Sequence, residues 1–292
     1  MFKNLTIYRL NKFDLTASSL SSKLKEAQFN HCGSQTLVSS GFSPVSEVSD
    51  DLVREIQGNI LVSFSIEKKL LPASVVKEFL KEAVIKATEQ SGQKPGRRET
   101  KDIKEAVIAS LLPKAFGVQK RFLVWIDPVN KWLCVNTASH AIAEQFLTFF
   151  FKCVSSDVDL KPINTASSPI VAMTNWLAQD SAPSGFTIDR DCLLKNPESK
   201  SSLRYSNHHL DDIAEHISSG KLPNELAMTW KDRVSFTLGS DWAIKKIRLL
   251  DIVMEGAEAM EDEDVLDADA MLCISELRKL LPDLITGMGG EE

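Results

Sequence analysis

The sequence predicts an α+β fold, a multi-lobed subunit with antiparallel sheets and a protruding helical hairpin. Three observations predict it. Apolar residues alternate through Ile60, Val62, Phe64 and Ile66, the period of a strand with one buried face. Two consecutive segments after Pro72 carry apolar residues at helical spacing, parted by Ser91-Gly92-Gln93-Lys94-Pro95-Gly96. Strand-like runs at 225–238 and 242–250 follow one another across Gly239-Ser240-Asp241, so strands and helices are segregated. No internal repeat of fixed period is visible.

The opening strand sets Leu5 and Ile7 on one side and Thr6 on the other, and a short helix with Leu20, Leu24 and Ala27 follows. Cys32-Gly33-Ser34-Gln35 and Gly41-Phe42-Ser43-Pro44 predict loops. The strand at 59–66 is expected to be half-buried and to end at Pro72, with Ser74 capping the next helix. Val75, Val76, Phe79, Leu80, Ala83, Val84 and Ala87 form that helix's apolar stripe. The second helix takes Thr100 as its cap and Asp102 in its first turn. Ile103, Ala106, Val107 and Leu111 are its apolar face, and Pro113 limits it. Together they make an αα-hairpin.

Segments 122–127 and 132–137 read as a β-hairpin across Pro128-Val129-Asn130-Lys131. Ser139 caps a helix to about Val154 that carries Phe146, Phe149 and Phe150. Ser168-Pro169 opens another that ends near Leu177. The stretch 179–206 reads as loop-rich. Asp211 and Asp212 open a helix that Gly220 closes, and an acidic loop precedes a final helix over roughly 264–281.

The 292 residues, 43% hydrophobic and 25% charged, are enough to bury a core. No apolar run approaches the roughly 18 residues of a membrane span. MFKNLTIYRLNKF has no apolar signal-peptide core, so a cytoplasmic protein is expected, with no membrane partner. Five scattered cysteines without a CxxC pair argue for reduced thiols, against a disulfide framework or zinc site.

Charge is divided unevenly. The net charge is −6, yet from Lys68 to Arg121 ten lysines and three arginines face six acidic residues. From Asp251 to Glu292, thirteen acids face only Arg278 and Lys279. The basic block is where a polyanion would bind. The acidic end reads as solvated surface that favours solubility.

Catalytic signatures are missing: there is no P-loop, GxGxxG, HExxH or GxSxG. His209 and His216, with Asp212 between them, would need a third positioned ligand to make a metal site, and read as a polar helix face beside His208. The acids at 258–269 read as a solvated run rather than a Mg²⁺ site. Asp127 stands as a lone carboxylate. No catalytic residue, metal or cofactor is expected, and the chain does not read as an enzyme.

The basic block offers more. Lys77 and Lys81 are one helical turn apart, off the apolar stripe. Lys94, Arg97 and Arg98 fall in the inter-helix loop, Lys101 and Lys104 on one side of the second helix, and Lys114 beyond it. Such cations neutralise phosphates and release counterions, giving affinity without sequence preference. The alternative is an ordinary surface balanced by Glu78, Glu82, Glu89, Glu99, Asp102 and Glu105. Phe116, flanked by cations past a helix end, is placed either to wedge between base steps or to tuck the helix end into the core.

A family resemblance rests on an ordered set of short motifs. They are MFKNLTIYRL, Cys32-Gly33-Ser34-Gln35, Gly41-Phe42 with Pro44, Leu70-Leu71-Pro72, Leu111-Leu112-Pro113-Lys114-Ala115-Phe116, Trp125-Ile126-Asp127 and Gly289-Gly290. Over nearly the whole chain they resemble the bacterial RdgC family. The resemblance implies a ring-shaped homodimer whose positively lined hole takes duplex DNA. It also implies subunits with a central body, a base and a helical tip, meeting at two places. It implies nucleoid association, links to replication-fork restart, and antagonism of filament formation by the RecA recombinase.

The matching divides the chain into a central body at 1–68 and 117–178, a tip at 69–116 and a base at 179–292. The family's Leu-Pro-Arg-Ala-Phe pattern falls on Leu112–Phe116, with Lys114 where the family has arginine, which keeps the charge but loses the bidentate fork. Pro95-Gly96 interrupts what is a lysine-rich loop in the family, and 179–206 matches poorly. The expected activity is sequence-independent binding of double-stranded DNA. The rivals are a protein–protein adaptor acting through the acidic C-terminal region and a DNA-processing enzyme.

Overall fold

A computed structural model describes residues 2–199, 201–207, 212–254 and 265–292. The central sheet comprises β1 (Thr6–Phe13), β2 (Val38–Ser43), β3 (Val53–Ile56), β4 (Asn59–Lys69), β5 (Gly117–Asp127), β6 (Trp132–Val135) and β7 (Val158–Pro162). A second sheet comprises β8 (Phe186–Lys195), β9 (Ser202–Tyr205), β10 (Leu222–Trp230), β11 (Val234–Gly239) and β12 (Ile244–Leu249). The helices are α1 (Ala17–Leu24), α2 (Ala73–Ser91), α3 (Arg97–Leu111), α4 (His140–Val154), α5 (Pro169–Ala178), α6 (Ile213–Ser218), α7 (Asp251–Met254) and α8 (Val265–Gly287). The protein is therefore mixed α and β with antiparallel sheets.

The first sheet runs β2-β4-β5-β6-β1-β7, with β3 also on β4, and its register explains its burial on both faces. Ile7, Cys134, Trp125 and Leu61 are cross-strand neighbours and belong to one core cluster. The adjacent row of Val62, Val124 and Val135 belongs to the other, because successive residues point to opposite faces. The segment expected to be half-buried is thus covered on both sides. Its polar positions Ser63 and Ser65 are buried too, and both hydroxyls bond to that of Ser43, at 3.0 and 2.8 Å.

One face packs against α1 and α4, where the Phe146 ring meets Phe42 and Phe64 edge-on at 6.2 and 5.7 Å. The other face shares a single cluster with α5, α8 and the second sheet, whose order is β12-β11-β10-β8-β9. Leu5 and Ile244 exchange backbone hydrogen bonds of 2.7 and 3.0 Å, stitching the two sheets together. The chain end returns to the central region, where the Glu292 amide donates to the Asn164 carbonyl at 3.1 Å.

Several expectations need correction. Gly41, Phe42 and Ser43 lie in β2, not in a loop. Glycine is required there by close approach, since a Cβ would sit 2.7 Å from the Ala27 carbonyl oxygen. Ser74 is inside α2, because Pro72 is the cap and its carbonyl accepts from Val76 at 3.2 Å. Thr100 is not a cap either. Its amide and hydroxyl both donate to Gly96 at 2.8 Å, so α3 begins at Arg97. Ser139 holds the cap position of α4 without a side-chain bond, whereas Ser168 caps α5 through the Val171 amide.

The stretch 179–206 contains β8 and β9 rather than loop alone. The run 225–238 is two strands, split at Lys231-Asp232-Arg233, where Lys231 and Asp232 adopt φ of 46° and 53°. Asp211 lies outside the described residues, and Asp212 makes no side-chain cap. The final helix continues past Pro282 to Gly287, because Leu284 and Ile285 are buried beyond it. Their burial outweighs the roughly 3 kcal/mol that an interior proline costs.

Candidate nucleic-acid interface

The αα-hairpin is the connection between β4 and β5. These strands pair from Ile60 opposite Ile126 to Lys69 opposite Gly117, and the hairpin leaves from that last pair. α2 packs against α3, yet only Val76 on α2 and Val107 on α3 are buried. Leu70, Phe79 and Ile85 are exposed. Two helices alone bury little area, so this lobe keeps an apolar face in solvent.

Lys77, Lys81, Lys94, Arg97, Arg98, Lys101, Lys104, Lys114 and Phe116 are all exposed on this lobe or at its root. Arg97 and Arg98 occupy the first turn of α3 rather than the loop. There they add to the partial positive charge of the helix N-terminus. Among the described residues, Lys101 alone of the eight cations is in an ion pair, a loose 3.8 Å contact with Glu105. The neighbouring acids therefore engage these cations in no other close ion pair among the described residues.

Lys77 and Lys104 come together at the rim of a groove of about 760 Å³ at the hairpin root, with Leu70, Val76, Leu80 and Ile108 among its apolar lining. Lys94, Arg97 and Arg98 lie at the far end, around the inter-helix loop. Phe116 does not tuck the helix end into the core: its residue is 83% exposed, and Leu112 is buried in that role.

Lys68 also lines the groove, and Lys120 and Arg121 stand exposed on the adjoining strand. Lys68 belongs to the basic block but is not among the individual binding candidates, because the apolar alternation stops at Ile66 while the strand continues to Lys69. Lys69 itself is buried, and its ammonium donates to the carbonyls of Ser34 at 3.0 Å and Leu112 at 2.9 Å.

The other candidate groups have structural partners. Asp127 is not alone: its fully buried carboxylate accepts from Arg278 at 2.8 Å and from the Asn130 side chain at 2.9 Å. His208 and His209 lie outside the described residues, and the His216 ring is 2.9 Å from the Lys221 ammonium. Residues 258–264 also lie outside them, while Asp267 pairs with Arg54. Among the described residues, no group of three or more His, Cys, Asp or Glu is placed to hold a metal ion. All five cysteines are free, and burial pushes the Cys192 thiol up to about 12 and that of Cys273 to about 11. Among the described residues, no helix is long and apolar enough to cross a membrane.

Comparison with known proteins agrees with the motif set. The family model described as "Putative exonuclease, RdgC" matches residues 1–291. The chain is 41% identical over 296 residues to the recombination-associated protein RdgC of Janthinobacterium sp. (strain Marseille), covering 99% of this chain and 98% of that one. It is 39% identical over 297 residues to the protein of the same name from Herminiimonas arsenicoxydans, covering 100% and 98%. Against that of Dechloromonas aromatica (strain RCB) it is 40% identical over 300 residues, covering 99% and 98%. With the matches spanning both chains nearly end to end, this chain belongs to the RdgC family of recombination-associated proteins.

Proposed function

We propose that this protein binds double-stranded DNA without reading its sequence, as a homodimer that closes into a ring around the duplex. The observation that carries the reading is the exposed hairpin lobe. Seven of the eight candidate cations on it are free of ion pairs among the described residues, and Phe116 is aimed at solvent beside Lys114. Free surface cations exchange condensed counterions for contacts with the phosphate backbone, and an exposed ring supplies a sequence-tolerant stacking or wedging contact. Nothing in the lobe resembles a helix that reads base edges with Asn, Gln and Arg.

The exposed apolar side chains left on α2 support self-association. A second copy related by a two-fold axis would cover Phe79 and Ile85 with its own equivalents as one of the ring's two closing interfaces, and a different surface of the subunit would supply the other. Coated duplex is a poor substrate for RecA-type filaments, so the protein limits recombinase assembly by occupancy, in the cytoplasm and on the nucleoid. It acts as a binding protein, without catalysis or a cofactor. In this reading the central sheet serves as the body, the hairpin as the tip, and the second sheet with α8 as the base.

Binding to unrelated duplexes over a salt series, with the mass in solution, tests this. A dimer with steep salt dependence is the expected result. Replacing both Arg97 and Arg98 with alanine should flatten the slope of log K against log salt by about 2. A monomer indifferent to DNA at low salt would sink the reading. The family model's description favours a second reading, a DNA-processing enzyme, and Mg²⁺-dependent shortening of a labelled duplex would support it.

A further inference from the structure

The hairpin root holds two buried charges where a strand end meets solvent. Lys69 and Glu67 are on β4, at 7% and 9% exposure. Lysine and glutamate are almost never buried without partners, and here each is satisfied by chain segments far from it in sequence. The Lys69 ammonium donates to Ser34 and Leu112, and its amide donates to the Leu37 carbonyl at 2.9 Å. The Glu67 carboxylate accepts from the Cys32 amide at 2.8 Å and lies 3.0 Å from His31 Nδ1. The Cys32 amide bond holds Glu67 below the usual glutamate range, helped by His31 and Lys69.

The second segment is fixed as closely. Leu112 begins the 3-10 turn that ends in Lys114, and the Phe116 carbonyl accepts from the Leu70 amide at 2.7 Å. Gly117 has no side chain to spare: a Cβ there would fall 1.9 Å from Glu67 Oε1. One strand end thus clamps the 31–37 loop and the 112–117 turn through two buried charged side chains, in addition to backbone hydrogen bonds and the burial of Leu112.

The geometry points to Lys69 and Glu67 as positioning residues that hold Phe116 and Lys114 in place for their ligand. The inference rests on the duplex-binding reading above. An exposed aromatic ring on an unsupported turn would have to be ordered when it binds, and prior ordering removes that cost. A clamp serving only the fold would gain from an apolar side chain at 69, since burying an ammonium is unfavourable.

Hydrogen exchange of the full-length protein, with affinity for a labelled duplex, tests the clamp. Lys69→Met should speed exchange at 31–37 and 112–117 together by about tenfold, with α2, α3 and the central sheet unchanged. Duplex affinity should fall as far as in Phe116→Ala, and Lys69→Arg should restore both readouts. Faster exchange in only one segment, or across the whole molecule, would overturn the proposal. So would opened segments with unaltered duplex affinity, if Phe116→Ala itself weakens binding. Should Lys69→Met fail to fold, Gly117→Ala displaces the Glu67 carboxylate and takes the same two readouts. If Phe116→Ala binds duplex as the wild type does, the role of that ring in DNA binding fails, and exchange alone decides the clamp.

Discussion

Phe116 contributes nothing to the core of one subunit, being 83% exposed. Phe116→Ala should leave the thermal midpoint where it is and weaken duplex binding, because a wedge between base steps is lost. Fluorescence anisotropy at fixed salt reads the loss, and an unchanged affinity would remove the ring from the interface. Asp127 behaves oppositely. It sits at the core boundary with Arg278 and Asn130, and Arg278 also donates to Asn59 at 2.6 Å. Asp127→Ala should cost about 1–3 kcal/mol in urea unfolding, because it removes the buried acceptor of the Arg278 and Asn130 hydrogen bonds. The two residues also mark what local pattern reveals. Phe116 was visible in its basic setting, although pattern alone left its direction open. Asp127 looked solitary because its partner lies 151 positions away, where spacing carries no signal.

At the level of elements, α8 and the chain end are fastened by carboxylates. Glu276 is held below the usual range by the Arg233 guanidinium at 2.6 Å, and Asp283 by the Lys231 ammonium at 2.8 Å. Glu291 is held down likewise by Arg9. Depressed folded-state values mean stability that is present above the free carboxylate range and is lost as pH falls through them. The urea midpoint should therefore drop below about pH 4, and drop less in Glu276→Gln, which has already lost one linked proton site. Equal acid sensitivity in both proteins would show that this carboxylate is not linked to folding. Elements with strong apolar period, such as α2, α3, α4 and β4, were legible in sequence. β8 was not, since Asp189, Arg190 and Asp191 interrupt its apolar residues where its pairing with β10 is irregular. The turn after Trp230 was hidden because charged residues, not Gly or Pro, take the positive φ values.

For the whole molecule, the proposed self-association makes a separable prediction. The double variant Phe79→Glu, Ile85→Glu should shift the solution mass from dimer toward monomer without lowering the thermal midpoint of the subunit, because both residues are exposed within one chain. A dimer as resistant to dilution as the wild type would place the contact elsewhere. The separation of strands and helices pointed to the mixed architecture and its antiparallel sheets, but no local pattern announced that both sheets share one core. That sharing depends on Leu61, Trp125 and Cys134 facing α8 while their neighbours face α4.

The hairpin leaves and re-enters the central sheet through Lys69 and Gly117, which are directly opposed in neighbouring strands. A lobe attached in this way is a cassette. Lengthening or shortening its two helices, with the Lys69–Leu112 contact at the root kept, shifts no strand out of register. The reach of the lobe can therefore drift in evolution, or be set by design, independently of the body that carries it.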